Sequence, residues 1–249
     1  MNRFFLDVRY KGTYYAGFQK QQNANTIQSE IESALQIFFN QPVDLTGSSR
    51  TDSGVHALQN FFHFDIDQEI NARIIYNINS LLPDDICINR IIPVEQHVHC
   101  RFDAIARSYE YRIYHKKDPF LQKLAYYFPY RLDFSSLQEA SAIVLKQHNF
   151  ISFSKKNSQV NHFECKIFES EWEQREQCLV YKVRANRFLR GMVRGLTGTM
   201  LQVARKKLTI SEFSEIFEKG NNYNVHFSVP GHGLYLIQVY YPEELFRDK

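Results

Sequence analysis

The hydrophobic pattern of this chain switches between a strand period and a helix period in a fixed order, and past residue 101 the order starts again. At the N-terminus Phe4, Leu6, Val8 and Tyr10 alternate with Phe5, Asp7 and Arg9, the period-two signature of a strand. Ile27, Ile31, Ala34, Leu35 and Phe38 then recur at helical spacing behind a candidate N-cap at Asn25 or Thr26. Strands are predicted over 43–46, 59–65 and 87–92, the last ending near Pro93, and a helix over 71–81. The order is β-α-β-β-α-β. It is repeated by a strand over 108–115, a helix over 135–147, strands over 162–172 and 179–185, helices over 188–204 and 211–219, and a last strand over 234–240.

Two such runs predict an α+β fold of two ferredoxin-like halves, each a split β-α-β unit, divided near Arg101 into domains 1–101 and 102–249. Each half places its helices on one sheet face and leaves the other free, so two halves side by side form a pseudo-symmetric sheet with a central cleft, the expected active site. With 249 residues and 44% hydrophobic composition the chain can fill one large core or two small ones.

Several function classes are excluded by what the chain lacks. Arg3, Asp7, Arg9 and Lys11 interrupt the N-terminal segment and rule out the apolar core of a secretory signal, and no later run could cross a bilayer. A soluble, cytoplasmic protein with no membrane partner is expected. Cys87, Cys100, Cys165 and Cys178 lie far apart without a C-x-x-C and read as buried free thiols. His97-Val98-His99-Cys100 alone looks like metal ligands, and it has no second pair to close a tetrahedral site, so no metal is expected. Gly12 and Gly17 bracket Thr-Tyr-Tyr-Ala, but Phe18-Gln19 follows where a P-loop needs a lysine and a hydroxyl, which argues against nucleoside triphosphate chemistry.

A formal charge of +3, from 30 basic and 27 acidic residues, is too small to establish a polyanionic partner. Distribution is the sharper signal, because residues 182–207 hold eight basic side chains and no acidic one. Within that run Leu189, Met192, Val193, Leu196 and Met200 form an apolar helical stripe, and Arg187, Arg190 and Arg194 share a neighbouring face. Gly191, Gly195 and Gly198 interrupt the same helix at about 1 kcal/mol each relative to alanine, a cost that points to close approach by backbone or ligand.

Gly47-Ser48-Ser49-Arg50-Thr51-Asp52-Ser53-Gly54 joins two predicted strands, and by composition it describes a turn in which Asp52 caps backbone amides. Continued through Val55-His56-Ala57-Leu58, the stretch resembles the signature loop of TruA-type tRNA pseudouridine synthases. The resemblance extends to Lys11–Gln19, Leu81–Ile86, His99–Ala104, Ala106–Arg112, Ala185–Arg194 and Gly233–Leu236, collinear over nearly the whole chain. The chain departs from that family at Phe18, where tryptophan is usual, at Gln59-Asn60, where Gly-Gln is usual, and at Glu110, where arginine is usual.

What the resemblance implies is an isomerase that needs no cofactor. Uridine becomes pseudouridine when the N-glycosidic bond breaks, the uracil turns, and the ring rejoins the same ribose through carbon; no atom is gained or lost. A carboxylate suits this chemistry because it can bond covalently to the sugar or the uracil ring and leave again, and by resemblance Asp52 takes that role. The detached uracil must stay caged, which makes its recapture intramolecular. By the same resemblance Tyr109 stacks on the target base, Arg194 keeps Asp52 ionised and oriented, Phe188 walls the site, and Arg50 helps displace the base from its stem, a step that costs a few kcal/mol. Arg187 and Arg190 are assigned to phosphates. Tyr111, on the same strand face as Tyr109, reads as core, and His56 as structural. The implied substrate is tRNA, at anticodon-arm uridines 38 to 40, bound by a homodimer. The competing reading is a non-catalytic RNA-binding protein with Phe61, Phe62 and Phe64 as its stacking platform.

Overall fold

The computed structural model describes residues 1–70, 73–155, 162–221 and 223–246. Its first half lays down β1 (Asn2–Tyr10), α1 (Ile27–Phe39), β2 (Thr46–Gly47), β3 (His56–Ile66), α2 (Arg73–Asn79) and β4 (Ile86–Val94). The second half repeats the order as β5 (Ala106–Tyr114), β6 (Tyr126–Tyr127), α3 (Phe134–Lys146), β7 (Ile167–Arg175), β8 (Cys178–Ala185), α4 (Met192–Ala204), α5 (Ile210–Lys219) and β9 (Leu234–Tyr240). The α+β class and the repeat are therefore as read from the hydrophobic periods. Compact units form from Met1–Ile105 with Leu236–Lys249, and from Ala106–Tyr235.

In the first unit β1 lies between β3 and β4, antiparallel to both, and β3 pairs antiparallel with β2. β1 and β2 thus run the same way with β3 between them, which is the split β-α-β arrangement. β9 also lies beside β3. α1 starts at Thr26, the second of the two expected caps: its hydroxyl accepts the Ser29 N–H, and Ser29 Oγ accepts the Thr26 N–H at 3.1 Å. Asn40, in the left-handed region at φ 53°, ends the helix. Its buried stripe closes with Phe39 rather than Phe38.

Local side-chain bonding explains where elements stop. The strand expected over 43–46 shrinks to β2 because α1 takes the backbone groups of Leu45: Gln28 Nε2 donates to its carbonyl at 2.8 Å and Glu32 accepts its N–H at 3.3 Å. α2 ends at Asn79, whose amide clasps Ile88 of β4, donating to its carbonyl at 2.9 Å and accepting its N–H at 2.8 Å. Residues 71 and 72 of that expected helix lie outside the described residues. β4 runs past Pro93 to Val94, since a proline is tolerated on an edge strand that needs no N–H from it.

In the second unit β8 pairs antiparallel with both β5 and β7, the first unit's pattern again. β7 starts at Ile167 rather than 162, because Asn186 holds Lys166 by both its backbone groups, at 2.8 and 3.1 Å. Trp172 stacks on Tyr181 at 5.1 Å and directs its indole N–H at Met200 Sδ of α4, 3.4 Å away. Those residues mark the helix-bearing face of this sheet, and Tyr111, paired with Tyr181 across β5 and β8, shares it.

The helix-free face of the first unit is not the open wall that the sequence suggested. In the first unit Phe5 and Phe61 are covered by Tyr241 and Phe246, with ring centroids 5.2–6.3 Å apart. In the second, Glu110 pairs with Arg112 and Arg175, Lys182 with Glu171 and Glu173, and Arg184 with Glu169, a ladder of matched charges. Phe61, Phe62 and Phe64 are each at most 1% exposed, so they are core and cannot stack on RNA bases.

Candidate active site

The loop between β2 and β3 carries Asp52, half-buried, in a turn that the Val55 N–H closes on the Asp52 carbonyl at 3.2 Å. Gly54 takes the positive φ of 76° that such a turn requires. Residues 12–18 grip this turn from both sides. Phe18 N–H donates to the Thr51 carbonyl at 3.0 Å, while the Tyr15 carbonyl accepts from Gly54 N–H at 3.4 Å and from Ser53 Oγ at 3.1 Å. Gly12 N–H donates to Nδ1 of the buried His56 at 3.2 Å, which gives that histidine its structural role. Only glycine permits such closeness at position 12, where a Cβ would stand 1.9 Å from the Val55 carbonyl oxygen.

The turn before β4 joins the same assembly. The Asp85 carbonyl accepts the Lys11 N–H at 2.9 Å and its carboxylate accepts the Tyr15 hydroxyl at 2.5 Å. Burial, then the Asp85 carboxylate, push the Tyr15 phenol well above its ordinary range. Three of the segments that carry the sequence resemblance are thus one hydrogen-bonded body around Asp52. Arg50 is exposed at the loop's edge, and no ion pair ties it among the described residues.

In the second unit Tyr109 lies on β5 opposite Val183, edge-on to Phe188 with ring centroids 4.9 Å apart. Tyr111, two residues along, is fully buried and donates its hydroxyl to the Pro230 carbonyl at 2.7 Å; burial raises its phenol, and it belongs to the core. Arg194 stands in the first turn of α4, with Nε donating to the Val229 carbonyl at 2.8 Å. The three glycines now have their explanation, and at Gly195 it is a side chain, since a Cβ there would stand 2.8 Å from the Phe227 ring. Gly191, at φ 75°, is the residue from which α4 starts, and a Cβ on Gly198 would stand 2.0 Å from the His226 carbonyl oxygen. At Gly198 it is backbone that approaches the helix.

The late start of α4 corrects the reading of its basic face. The helix expected over 188–204 begins at Met192, so Phe188, Arg187 and Arg190 lie in the segment before it, and only Arg194 is helical. Arg187 Nη1 lies 2.7 Å from His162 Nε2, whereas Arg190 is exposed with no ion pair among the described residues. The apolar stripe fares as expected, since Leu189, Met192, Val193, Leu196 and Met200 are all buried.

Each departure from the similar family has a structural role here. Phe18 is buried in a slot over Gly47, stacked on Phe62 at 4.5 Å. Gln59 bridges Asp7 at 3.2 Å and the Val239 N–H of β9 at 3.2 Å. Glu110 holds two guanidiniums, Arg112 at 2.9 Å and Arg175 at 2.8 Å.

All four cysteines are free thiols, but only Cys100 and Cys165 are buried; Cys87 and Cys178 are half-buried. Burial pushes the Cys165 thiol up to about 11. The fold also brings His63 to His99 and Cys100, whose ligand-type atoms all lie within 4.8 Å. Spacing could not show this, because His63 lies on β3, far in sequence from the loop that carries His99 and Cys100. The donor set does not fit a metal: His63 Nδ1 accepts the Cys100 N–H at 3.2 Å and His99 Nδ1 accepts the Arg101 N–H at 3.1 Å, so each ring proton belongs on Nε2, where a ligand pair would be needed. Arg3 further opposes a cation, and both imidazoles are held below their ordinary range, His63 at about 4, by burial first and by the Arg3 charge second.

Two repeated split β-α-β units, with a clasped carboxylate loop in the first and, in the second, an aromatic pair and an arginine anchored on backbone, define a class of α+β proteins with a loop-borne acid. A family model described as tRNA pseudouridine synthase matches residues 8–103 and 147–242. Over 248 residues the chain is 42% identical to tRNA pseudouridine synthase A of Parabacteroides distasonis, covering 99% of this chain and 98% of that one. It is 40% identical over 251 residues to the protein of that name from Porphyromonas gingivalis (99% and 100% covered), and 34% identical over 250 residues to that of Staphylococcus aureus (99% and 95% covered). The chain belongs to the tRNA pseudouridine synthase family, whose members are isomerases. Among the described residues no helix is long and apolar enough to cross a membrane.

The histidine pair makes stability depend on pH. Folded His63 takes up a proton only near pH 4 while an unfolded histidine does so near 6.5, so its contribution is complete above 6.5 and is lost as pH falls toward 4. Thermal midpoints should decline across that window, and His63→Gln should flatten the decline; an unchanged slope would remove His63 as its cause.

Proposed function

We propose that this chain isomerises uridine to pseudouridine in tRNA, at anticodon-arm positions 38 to 40, with Asp52 as the catalytic carboxylate. The observation that carries the reading is the family match over 8–103, which spans the Asp52 loop, together with the hydrogen-bonded body that holds that loop rigid. A nucleophile gains from being fixed before substrate arrives, because the orienting entropy is then not lost in the reaction itself.

In the reaction the bond from ribose C1′ to uracil N1 breaks, the ring turns, and C5 bonds to C1′; the proton leaving C5 is balanced by one gained at N1. Asp52 bonds covalently to the sugar or the ring and is released when the new glycosidic bond is complete. Tyr109 stacks on the base, with Phe188, edge-on to it, as a wall of the cage. Arg194 keeps Asp52 ionised and oriented; the Val229 carbonyl that binds its Nε supports this role by fixing the plane of the guanidinium. Arg50, exposed on the same loop as Asp52, helps displace the base from its stem. Arg187 and Arg190 meet phosphates, and the exposure of Arg190 supports that assignment. On the strength of the family resemblance, the active form is a cytoplasmic homodimer that presents one tRNA to both subunits.

Asp52→Asn should bind tRNA with wild-type affinity and lose pseudouridine formation by roughly a thousandfold or more; near-normal turnover would take Asp52 out of the mechanism. Arg190→Ala should weaken tRNA binding and lower the slope of log affinity on log salt by about one phosphate contact. A loss of turnover at unchanged affinity would contradict the phosphate role.

A further inference from the structure

Beneath the Asp52 loop lies a buried polar chain that the proposed chemistry does not use. Asn60 of β3 is fully buried, and the backbone settles which way its amide points. Phe61 N–H can only donate and reaches Asn60 Oδ1 at 2.9 Å; the Ser49 carbonyl can only accept and receives Nδ2 at 3.0 Å. The remaining capacity is filled by Ser48 Oγ, which donates to Oδ1 at 3.0 Å, and by the Tyr10 hydroxyl, which receives Nδ2 at 3.2 Å. Tyr10 Oη in turn lies 2.8 Å from Thr51 Oγ1.

Every member of this chain is buried, yet a core filled by apolar side chains would not bear the desolvation of an amide and three hydroxyls. What the polar version adds is direction, because a satisfied network holds its ends in one arrangement. One end here is Thr51, next to Asp52. Its side chain is held by Tyr10 and its carbonyl, on the other side of the loop, by Phe18 N–H at 3.0 Å. The residue before the carboxylate is therefore fixed through both side chain and backbone.

We propose that Tyr10 and Asn60 are positioning residues for the reaction, and that the Tyr10 Oη to Thr51 Oγ1 link sets where the Asp52 carboxylate stands. The inference rests on the reading of Asp52 as the catalytic group. Neither residue touches substrate; both act through Thr51.

The test is a double-mutant cycle on the full chain, with Tyr10→Phe, Thr51→Val and the pair, and with Asp52→Asn assayed beside them. Single-turnover rate at saturating tRNA, tRNA affinity and the thermal midpoint are measured, the rates at a temperature where circular dichroism shows every variant folded. Each single variant should lower the rate about tenfold while affinity stays within about twofold, because misplacing a reacting group costs rate rather than binding. The pair should be no slower than the slower single, since both remove the same link. Thr51→Ser, which keeps the hydroxyl, should restore the rate lost in Thr51→Val, a contrast that does not depend on Tyr10→Phe folding well. A wild-type rate in Thr51→Val, losses that multiply in the pair, or a Thr51→Ser as slow as Thr51→Val overturns the inference. If those results come with an inactive Asp52→Asn, the positioning role alone fails; an Asp52→Asn that keeps its rate removes the nucleophile reading itself.

Discussion

Two main-chain segments in the first unit approach each other more closely than side chains would allow, and the setting of Asp52 depends on it. Gly12 lies so near Val55 that any Cβ would overlap its carbonyl oxygen, and the clasp between 12–18 and 51–56 follows from that closeness. Hydrogen bonds from Phe18, Gly54 and Gly12 then hold both flanks of the turn. A loop tethered at one flank would sample a range of carboxylate positions; tethered at both, it presents the acid in one.

The second unit uses the same device. A glycine inside a helix costs about 1 kcal/mol relative to alanine. In α4 that cost lets the backbone at His226 press against Gly198 and sets the neighbouring carbonyl of Val229 where Arg194 Nε is bound. Glycines in both units thus trade helix or loop stability for the fixed direction of a charged side chain. The apolar mass behind them, Phe18 on Phe62 in one unit and Trp172 on Tyr181 in the other, keeps the strands that carry these segments from shifting.

Periodicity made most of the fold legible, because strands and helices that bury one face announce themselves every second residue or every third and fourth. β9 matches its expected span, α3 is shifted by one residue at both ends, and α5 starts one residue early. Two of the misreadings share a cause: groups distant in sequence take over backbone bonding, Glu32 and Gln28 of α1 at Leu45 and Asn186 ahead of β7. The third is local, since Gly191 with its positive φ delays α4, which removed Arg187 and Arg190 from the helix face assigned to them. The return of residues from Leu236 to the first unit also has no local signature. The chemistry was legible only through resemblance, since a loop of small polar residues around one aspartate looks like any turn. His63, which completes the cluster with His99 and Cys100, and the chain from Asn60 through Tyr10 to Thr51 could not be read from spacing, because both join residues from segments far apart in sequence.

The central claim is that the clasped acid serves uridine isomerisation in the anticodon arm, and the most direct measurement maps pseudouridine, at nucleotide resolution, in total tRNA isolated without the modification and then incubated with the purified protein. The account predicts new pseudouridine at positions 38 to 40 with the wild-type chain. Total tRNA left without new pseudouridine, or modified only outside the anticodon arm, would contradict it.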